Sequence, residues 1–217
     1  MKILVPVDFS VDYSPVATYA SELLAIKASK IYLLYVATMP DFYVTELEDY
    51  GKYDSEYKSI LKRIHDSSLS KLREIKVKYF DNNSKVICKV IISKNIYKEI
   101  IYYSETLQCD LIILCENDIN RKIKIGSNTE RVVRLSNIPV MVIKNSAKAS
   151  VKKVVFASDF KKDAANVFDK LLKCFQNDRI SYRLLYINTK SYFEEYDVVK
   201  ERIEKFKKNF SGDFSIV

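Results

Sequence analysis

"KIKIGSNTERVVRLSNIPVMVIK", residues 122–144, reads as a loop, a helix start and a buried strand. Gly126 and Ser127 would open the helix with backbone N–H groups and a hydroxyl, the arrangement that seats a nucleotide phosphate or another anion. The same residues also read as a capping box, with Ser127 as cap and Glu130 three positions on. Pro139 then closes the polar stretch. The apolar run behind it is what a strand covered on both faces requires.

Outward from this stretch the same alternation recurs. "KILVPV" (2–7), "IYLLYVA" (31–37), "KVICKVII" (85–92), "CDLIILC" (109–115) and "IPVMVIK" (138–144) are short apolar runs separated by amphipathic segments. That pattern predicts five β-strands and four helices in a doubly wound α/β unit. Ser14 followed by Pro15 predicts a helix start. A polar insertion from Met39 to about Asp54, rich in Tyr, Asp and Glu, reads as a solvated flap. A long helix follows it to Phe80. Residues 145–150, "NSAKAS", read as a linker.

Beyond the linker the pattern starts again. "VVFASDF" (154–160) repeats "ILVPVDF" (3–9) at an offset of 151, and "LLYI" (184–187) repeats "LLYV" (33–36) at the same offset. Two matches at one offset predict a tandem duplication. The expected division is therefore a complete α/β domain over 1–144 and a partial second copy over 151–217. In that copy residues 191–210 read as the second helix and "DFSIV" (213–217) as the start of a third strand.

Composition narrows the function. The 217 residues are 48% hydrophobic and 29% charged, an ordinary globular balance. No apolar run is long enough for a membrane helix, and "MKILVPVDFS" lacks a signal-peptide pattern, so a cytoplasmic protein is expected. The net charge of +8 is spread evenly, 22 basic against 18 acidic side chains over 1–150 and 14 against 10 over 151–217. Nucleic acid is accordingly not an expected partner. Cys88, Cys109, Cys115 and Cys174 show no metal-ligand spacing and read as buried thiols. The single histidine, His65, falls in a helix rich in Lys and Ser and reads as part of a solvated face.

These segments together resemble the universal stress proteins in their tandem two-domain form. The resemblance rests on "ILVPVDFS", "LLYV", "CDLIIL" and "GSNTERVVRLSNIPVMVIK", and covers 1–144 with 152–217 as a partial copy. It implies a cytoplasmic Rossmann-like fold with strand order 3-2-1-4-5, dimerisation, and in one branch ATP binding through G-x-x-G, nine residues, then G-[ST]. Pro6, Val7 and Asp8 match the first-strand end that lines the adenosine, and Val36 the second-strand contact. Leu114 and Cys115 stand where the phosphate loop begins; Gly126 and Ser127, with Asn128 behind them, match its end.

The middle of that motif is missing. Its two glycines would fall at Ile113 and Glu116, and "CENDINRKIKI" contains none. Glycine lets a backbone take positive φ and approach phosphate closely. Glu116 and Asp118 would face the phosphates instead, costing roughly one to a few kcal/mol each; Arg121, Lys122 and Lys124 are the nearby cations. The expectation is a non-enzymatic stress-response module with a degenerate nucleotide site, no catalytic residues and no metal. The alternative is an ATP-binding universal stress protein with little or no hydrolysis.

For Asp8 the plainer reading is a strand-end cap, which Asp159 repeats. By the resemblance, strand 139–144 lies at the sheet edge, and Val140, Met141, Val142 and Ile143 are expected to pair across a two-fold axis in a homodimer. An unknown protein partner completes the expected functional picture. Because the second copy stops early, the chain is also expected to be a shortened form of a longer product, with strand 154–160 left as an open edge.

Overall fold

The computed structural model describes residues 1–26, 28–38, 54–116, 127–144, 151–175, 180–210 and 214–216. The chain divides into two compact units, Met1–Ala149 and Ser150–Val217.

The first unit is a five-stranded sheet with β1 Lys2–Pro6, β2 Lys30–Ala37, β3 Val86–Ile92, β4 Leu111–Glu116 and β5 Val140–Lys144. All neighbours run parallel, in the order β3-β2-β1-β4-β5. The five strands and their order are those expected. Helices α1 (Ser14–Ile26), α2 (Asp54–Phe80), α3 (Ile96–Thr106) and α4 (Ser127–Leu135) connect them.

Alternate residues of a strand point to opposite faces, so a run apolar at every position is covered on both. Ile3, Leu4 and Val5 of β1 and Ile112 and Ile113 of β4 are fully buried for this reason. On one face Leu4, Tyr32, Leu34, Val36, Ile112 and Leu114 pack with Ile100 of α3 and Val132 of α4. On the other, α1 and α2 lie against each other and against the sheet, α1 through Val16, Ala17, Ala20, Leu23 and Leu24. Helix α1 begins one residue earlier than Ser14 as cap would give. Asp12 holds the entry instead, its Oδ1 accepting the Ser14 N–H at 3.0 Å and its Oδ2 the Ser14 hydroxyl at 2.9 Å. Each of its two oxygens takes one of these donors, and its negative charge suits a helix N-terminus.

The second unit is a three-stranded parallel sheet: β6 Lys153–Ala157, β7 Ser181–Leu185 and β8 Phe214–Ile216, in the order β6-β7-β8. Helices α5 (Ala164–Cys174) and α6 (Tyr196–Lys207) cover one face. The core there is aromatic. Phe168 is fully buried, with the rings of Phe156, Phe206, Phe210, Phe214 and Tyr182 around it at centroid distances of 4.8–5.7 Å. Val155, on the opposite face of β6, is 55% exposed.

With only three glycines in the chain, other residues take left-handed backbone. Asp81, Asn82, Gln108 and Phe160 have φ of 47°, 52°, 53° and 54°. Gln108 sits just past α3, where its N–H reaches Glu105 O at 2.9 Å and the Cys109 N–H reaches Ser104 O at 2.8 Å, a helix ending that glycine usually supplies.

Candidate functional site

The sheet's strand order reverses between β1 and β4, because β2 leaves β1 on one side and β4 joins it on the other. Such a switch point opens a crevice at the carboxyl ends of the strands. Here it is a cleft of about 280 Å³, walled by Pro6, Val7 and Asp8 after β1, Leu34, Tyr35, Val36 and Thr38 along β2, Leu114 and Cys115 of β4, Ile96 and Ile100 of α3, and Asn128 and Thr129 of α4. Seven of the residues marked from the sequence, Pro6, Val7, Asp8, Val36, Leu114, Cys115 and Asn128, therefore meet at one place. Ser127 opens α4 but is exposed and is not a wall. Gly126, Asp118, Arg121, Lys122 and Lys124, and the insertion 39–53, lie outside the described residues, as does the linker 145–150.

The local chemistry fixes the cleft floor. Asp8 Oδ1 accepts the Ser10 N–H at 2.9 Å and the Ser10 hydroxyl at 2.6 Å, closing a side-chain turn directly after β1. The Val7 N–H donates to Leu34 O at 2.8 Å, and the buried Tyr13 hydroxyl donates to Pro6 O at 3.2 Å. Burial raises the Tyr35 phenol above its usual pKa, and the Asp8 charge raises it further. Tyr35 therefore offers a hydroxyl donor at neutral pH; its ring lies 4.2 Å from that of Phe9. The cleft thus presents a carboxylate, phenol and threonine hydroxyls, a carboxamide and an apolar back wall. Tyr35, Thr38 and Thr129 were not singled out from sequence, although Tyr35 lies inside the quoted "LLYV".

Three side chains stand differently from expectation. Glu116 does not wall the cleft. It ends β4 opposite Lys144 of β5, with Lys144 Nζ 3.9 Å from its Oε2, and is largely buried there. Being the sixth residue of a regular strand, its direction is set by the pleat rather than by the loop beyond. The cysteines divide: Cys109 and Cys174 are buried, but Cys88 and Cys115 are only partly so, because β3 is an edge strand and Cys115 borders the cleft. None forms a disulfide, and burial pushes the Cys109 thiol up to about 11. His65 sits on α2 beside Asp66, its Nδ1 3.1 Å from the carboxylate, on the exposed face expected. Among the described residues no three His, Cys, Asp or Glu side chains gather as a metal site.

The second unit carries a cleft of its own at the ends of β6 and β7, about 650 Å³, which sequence reading missed. Asp159, Leu185, Tyr186 and Thr189 wall it at the offset of 151 from Asp8, Leu34, Tyr35 and Thr38. Asp159 Oδ1 accepts the Lys161 N–H at 3.0 Å, so both aspartates close a turn after a strand, as the capping reading expected. Glu194 secures the loop after β7. Arg202 Nη2 donates to its Oε1 at 2.6 Å, Arg202 Nη1 to its Oε2 at 3.0 Å, and the Tyr186 hydroxyl to Oε2 at 2.7 Å. Asn188 clasps the Glu194 backbone from both sides, Nδ2 donating to its carbonyl at 2.7 Å and Oδ1 accepting its N–H at 3.2 Å. The Arg202 and Tyr186 hydrogen bonds hold the Glu194 carboxyl down at about 2. The only sequence signal for this cluster was an i, i+8 Glu–Arg pair spanning a helix start, which no periodicity singles out.

Comparison with known proteins places the first unit. The family model for the universal stress protein family matches residues 1–144. This chain belongs to the universal stress protein family. No curated protein matches it. Among solved structures, the hypothetical protein MJ0577, from a study assigning biochemical function from structure, is 27% identical with a TM-score of 0.53, over 68% of this chain and 97% of its own. The universal stress protein UspA from Lactobacillus plantarum is 22% identical with a TM-score of 0.50, over 66% and 97%. A putative universal stress protein from Pseudomonas aeruginosa UCBPP-PA14 is 13% identical with a TM-score of 0.63, over 99% of this chain and 73% of its own. The last two show likeness of fold alone. No described helix of this universal stress protein is long and apolar enough to cross a membrane.

Proposed function

We propose that this universal stress protein is a non-enzymatic cytoplasmic module of the stress response that acts by self-association and partner binding. The observation that carries this reading is β5. Among the described strands it has one neighbour, β4, and its first four residues, Val140–Ile143, are apolar and only half-buried. Val133 and Leu135 of the adjoining α4 are 48% and 56% exposed. An apolar edge strand with unpaired N–H and C=O groups is an association surface unless it is covered. Pairing of Val140, Met141, Val142 and Ile143 with the same residues of a second copy across a two-fold axis covers it.

The first-unit cleft is read as a degenerate nucleotide site. The residues that the resemblance assigns to the adenosine line one cleft, whereas the loop sequence that would cradle phosphates has no glycine. ATP is therefore expected to bind with a dissociation constant of about 1 mM or weaker, about −4 kcal/mol. The second reading, an ATP binder with little or no hydrolysis, is favoured by the convergence of Pro6, Val7, Asp8, Val36, Leu114, Cys115 and Asn128 on one cleft.

Light scattering at micromolar concentration tests the first reading, with Met141→Lys as its partner variant. The native chain is expected as a dimer and the variant, which sets a lysine opposite Val142 of the other copy on each side of the axis, as a monomer; a native monomer overturns the proposal. A thermal-shift titration with ATP and Mg²⁺ separates the two readings of the cleft, since retained or micromolar ATP would establish the second.

A further inference from the structure

The chain builds one turn twice, in two different forms. After β1 and again after β6 the sequence reads Asp-Phe, at Asp8–Phe9 and Asp159–Phe160, and each aspartate Oδ1 accepts the N–H two residues on. The first turn is relaxed. Phe9 does not take left-handed backbone, and the Asp8 carbonyl accepts the Val11 N–H at 3.4 Å. The half-buried Phe9 ring lies 4.2 Å from the ring of Tyr35. In the second turn Phe160 has φ of 54°, a left-handed backbone that is an outlier for a bulky side chain. Its ring is buried against Phe156 and Phe206, at centroid distances of 5.9 and 5.1 Å.

One side chain accounts for the difference. Arg202 of α6 donates from Nη1 to the Asp159 carbonyl at 3.0 Å, taking the acceptor that closes the turn locally after β1. The same guanidinium grips Glu194 through two hydrogen bonds, and Glu194 in turn takes the Tyr186 hydroxyl. Tyr186 is the counterpart of Tyr35 at the offset of 151. The ring on which Phe160 would lie in the pattern of β1 is therefore tied to the loop after β7. A residue in a disfavoured backbone region persists only where its surroundings hold it. Here the holders are the buried ring and Arg202, helped by the Ser158 hydroxyl, whose Oγ accepts the Phe160 N–H at 3.0 Å.

We propose that the turn after β6 is a two-state latch on the second-unit cleft. With Arg202 engaged, the turn is held in the left-handed form. With Arg202 released, it takes the form seen after β1, and the Phe160 ring leaves the core for the ring of Tyr186, as Phe9 lies on Tyr35. Ser158, Asp159, Lys161, Tyr186, Thr189 and Glu194 all wall the cleft, so the two forms present different walls to an occupant. In the held form the Tyr186 hydroxyl and the Glu194 carboxylate satisfy each other. An occupant that accepts the Tyr186 hydroxyl binds the released form alone and shifts the turn toward it. Burial of the Phe160 ring favours the held form, so the released form is a minor state of the native chain, on the order of 1%.

Nuclear magnetic resonance on the full chain tests this. Relaxation dispersion is expected at the amides of Phe160, Lys161, Tyr186 and Glu194, with one shared exchange rate on the microsecond-to-millisecond scale. Arg202→Met keeps an apolar stem and removes the donors. It should raise the released population about a hundredfold, making it the major form, through the loss of charge-assisted hydrogen bonds. Ring contacts between Phe160 and Phe206 should then give way to contacts between Phe160 and Tyr186, while β6–β7 pairing persists. Glu194→Gln serves as the second variant should the first disturb the fold; by loosening the hold on Arg202 it should raise the released population about tenfold. Flat dispersion in the native chain, unrelated rates in the turn and in the 188–194 loop, or an unchanged released population in the folded variant would each overturn the proposal. A purely structural Arg202 would loosen α6 without bringing Phe160 to Tyr186, and that result overturns it as well.

Discussion

Phe168→Ala isolates the aromatic core of the second unit. Phe168 is fully buried, and every ring around it, from Phe156 at 4.8 Å to Phe214 at 5.7 Å, belongs to residues 151–217. Deleting a buried phenylalanine ring costs about 3–5 kcal/mol through lost transfer free energy and the cavity left behind. Five ring neighbours argue for the upper part of that range, since each well-placed aromatic pair adds about 0.5–1.5 kcal/mol beyond area. A unit of this length is held by about 3–10 kcal/mol in total, so the substitution removes a large share of it. Hydrogen exchange read by mass spectrometry, peptide by peptide, measures the effect where it falls. Core amides of β7 and α6 should exchange about a hundredfold to a few thousandfold faster, at 1.4 kcal/mol per factor of ten. Amides of β1 and β4 should keep their native rates. Less than tenfold acceleration in β7 and α6, or equal acceleration in β1 and β4, would refute the reasoning, the first by denying Phe168 its keystone role and the second by denying the units separate cores.

Three further outcomes are expected. The Glu194 carboxyl is held at about 2 against an ordinary 4.5, so its contribution is fully present above about pH 4.5 and is lost as pH falls toward 2; an acid titration of native protein should show loosening of the 188–195 loop in that window by NMR, and Glu194→Gln should lack that pH dependence. Gln108→Gly relieves a left-handed side chain at a helix end and should stabilise the first unit by up to about 1 kcal/mol in urea unfolding; destabilisation would count against the strain. Leu4→Ala should cost about 2–5 kcal/mol, whereas Val155→Ala, at the equivalent but exposed position, should change stability by less than about 0.5 kcal/mol; equal costs in chemical denaturation would contradict the difference in cover.

The strands were readable because a parallel sheet covered on both faces demands unbroken apolar runs, and "KILVPV", "CDLIILC" and "IPVMVIK" are such runs. The cleft was readable for a related reason: strand ends and strand order together place Pro6, Asp8, Val36 and Leu114 at one switch point. What escaped were side chains whose partners are chosen in space. Glu116 looked like a loop residue until the pairing of β4 with β5 set it against Lys144. Asp12 displaced Ser14 as the entry to α1 because a carboxylate two residues back reaches both donors. Glu194 meets Arg202 and Tyr186 only once the loop after β7 has folded back over α6, and hydrophobic periodicity carries no trace of that.

The bond between Lys2 and Asp110 joins residues 108 positions apart, and this bears on synthesis. β1 is the first strand made and the central one in its sheet, so its two flanks are completed at very different times. β2 is available soon after β1, but β4 leaves the ribosome only when more than half of this unit's length has followed β1 out. At about 5–20 residues per second, β1 waits roughly 5–20 s for its second neighbour. During that interval β1 can pair with β2, but its other flank waits for the arrival of a distant segment. Codon choice between residues 38 and 110 would therefore set how long that flank of β1 stays unpaired during synthesis, with no change in any amino acid.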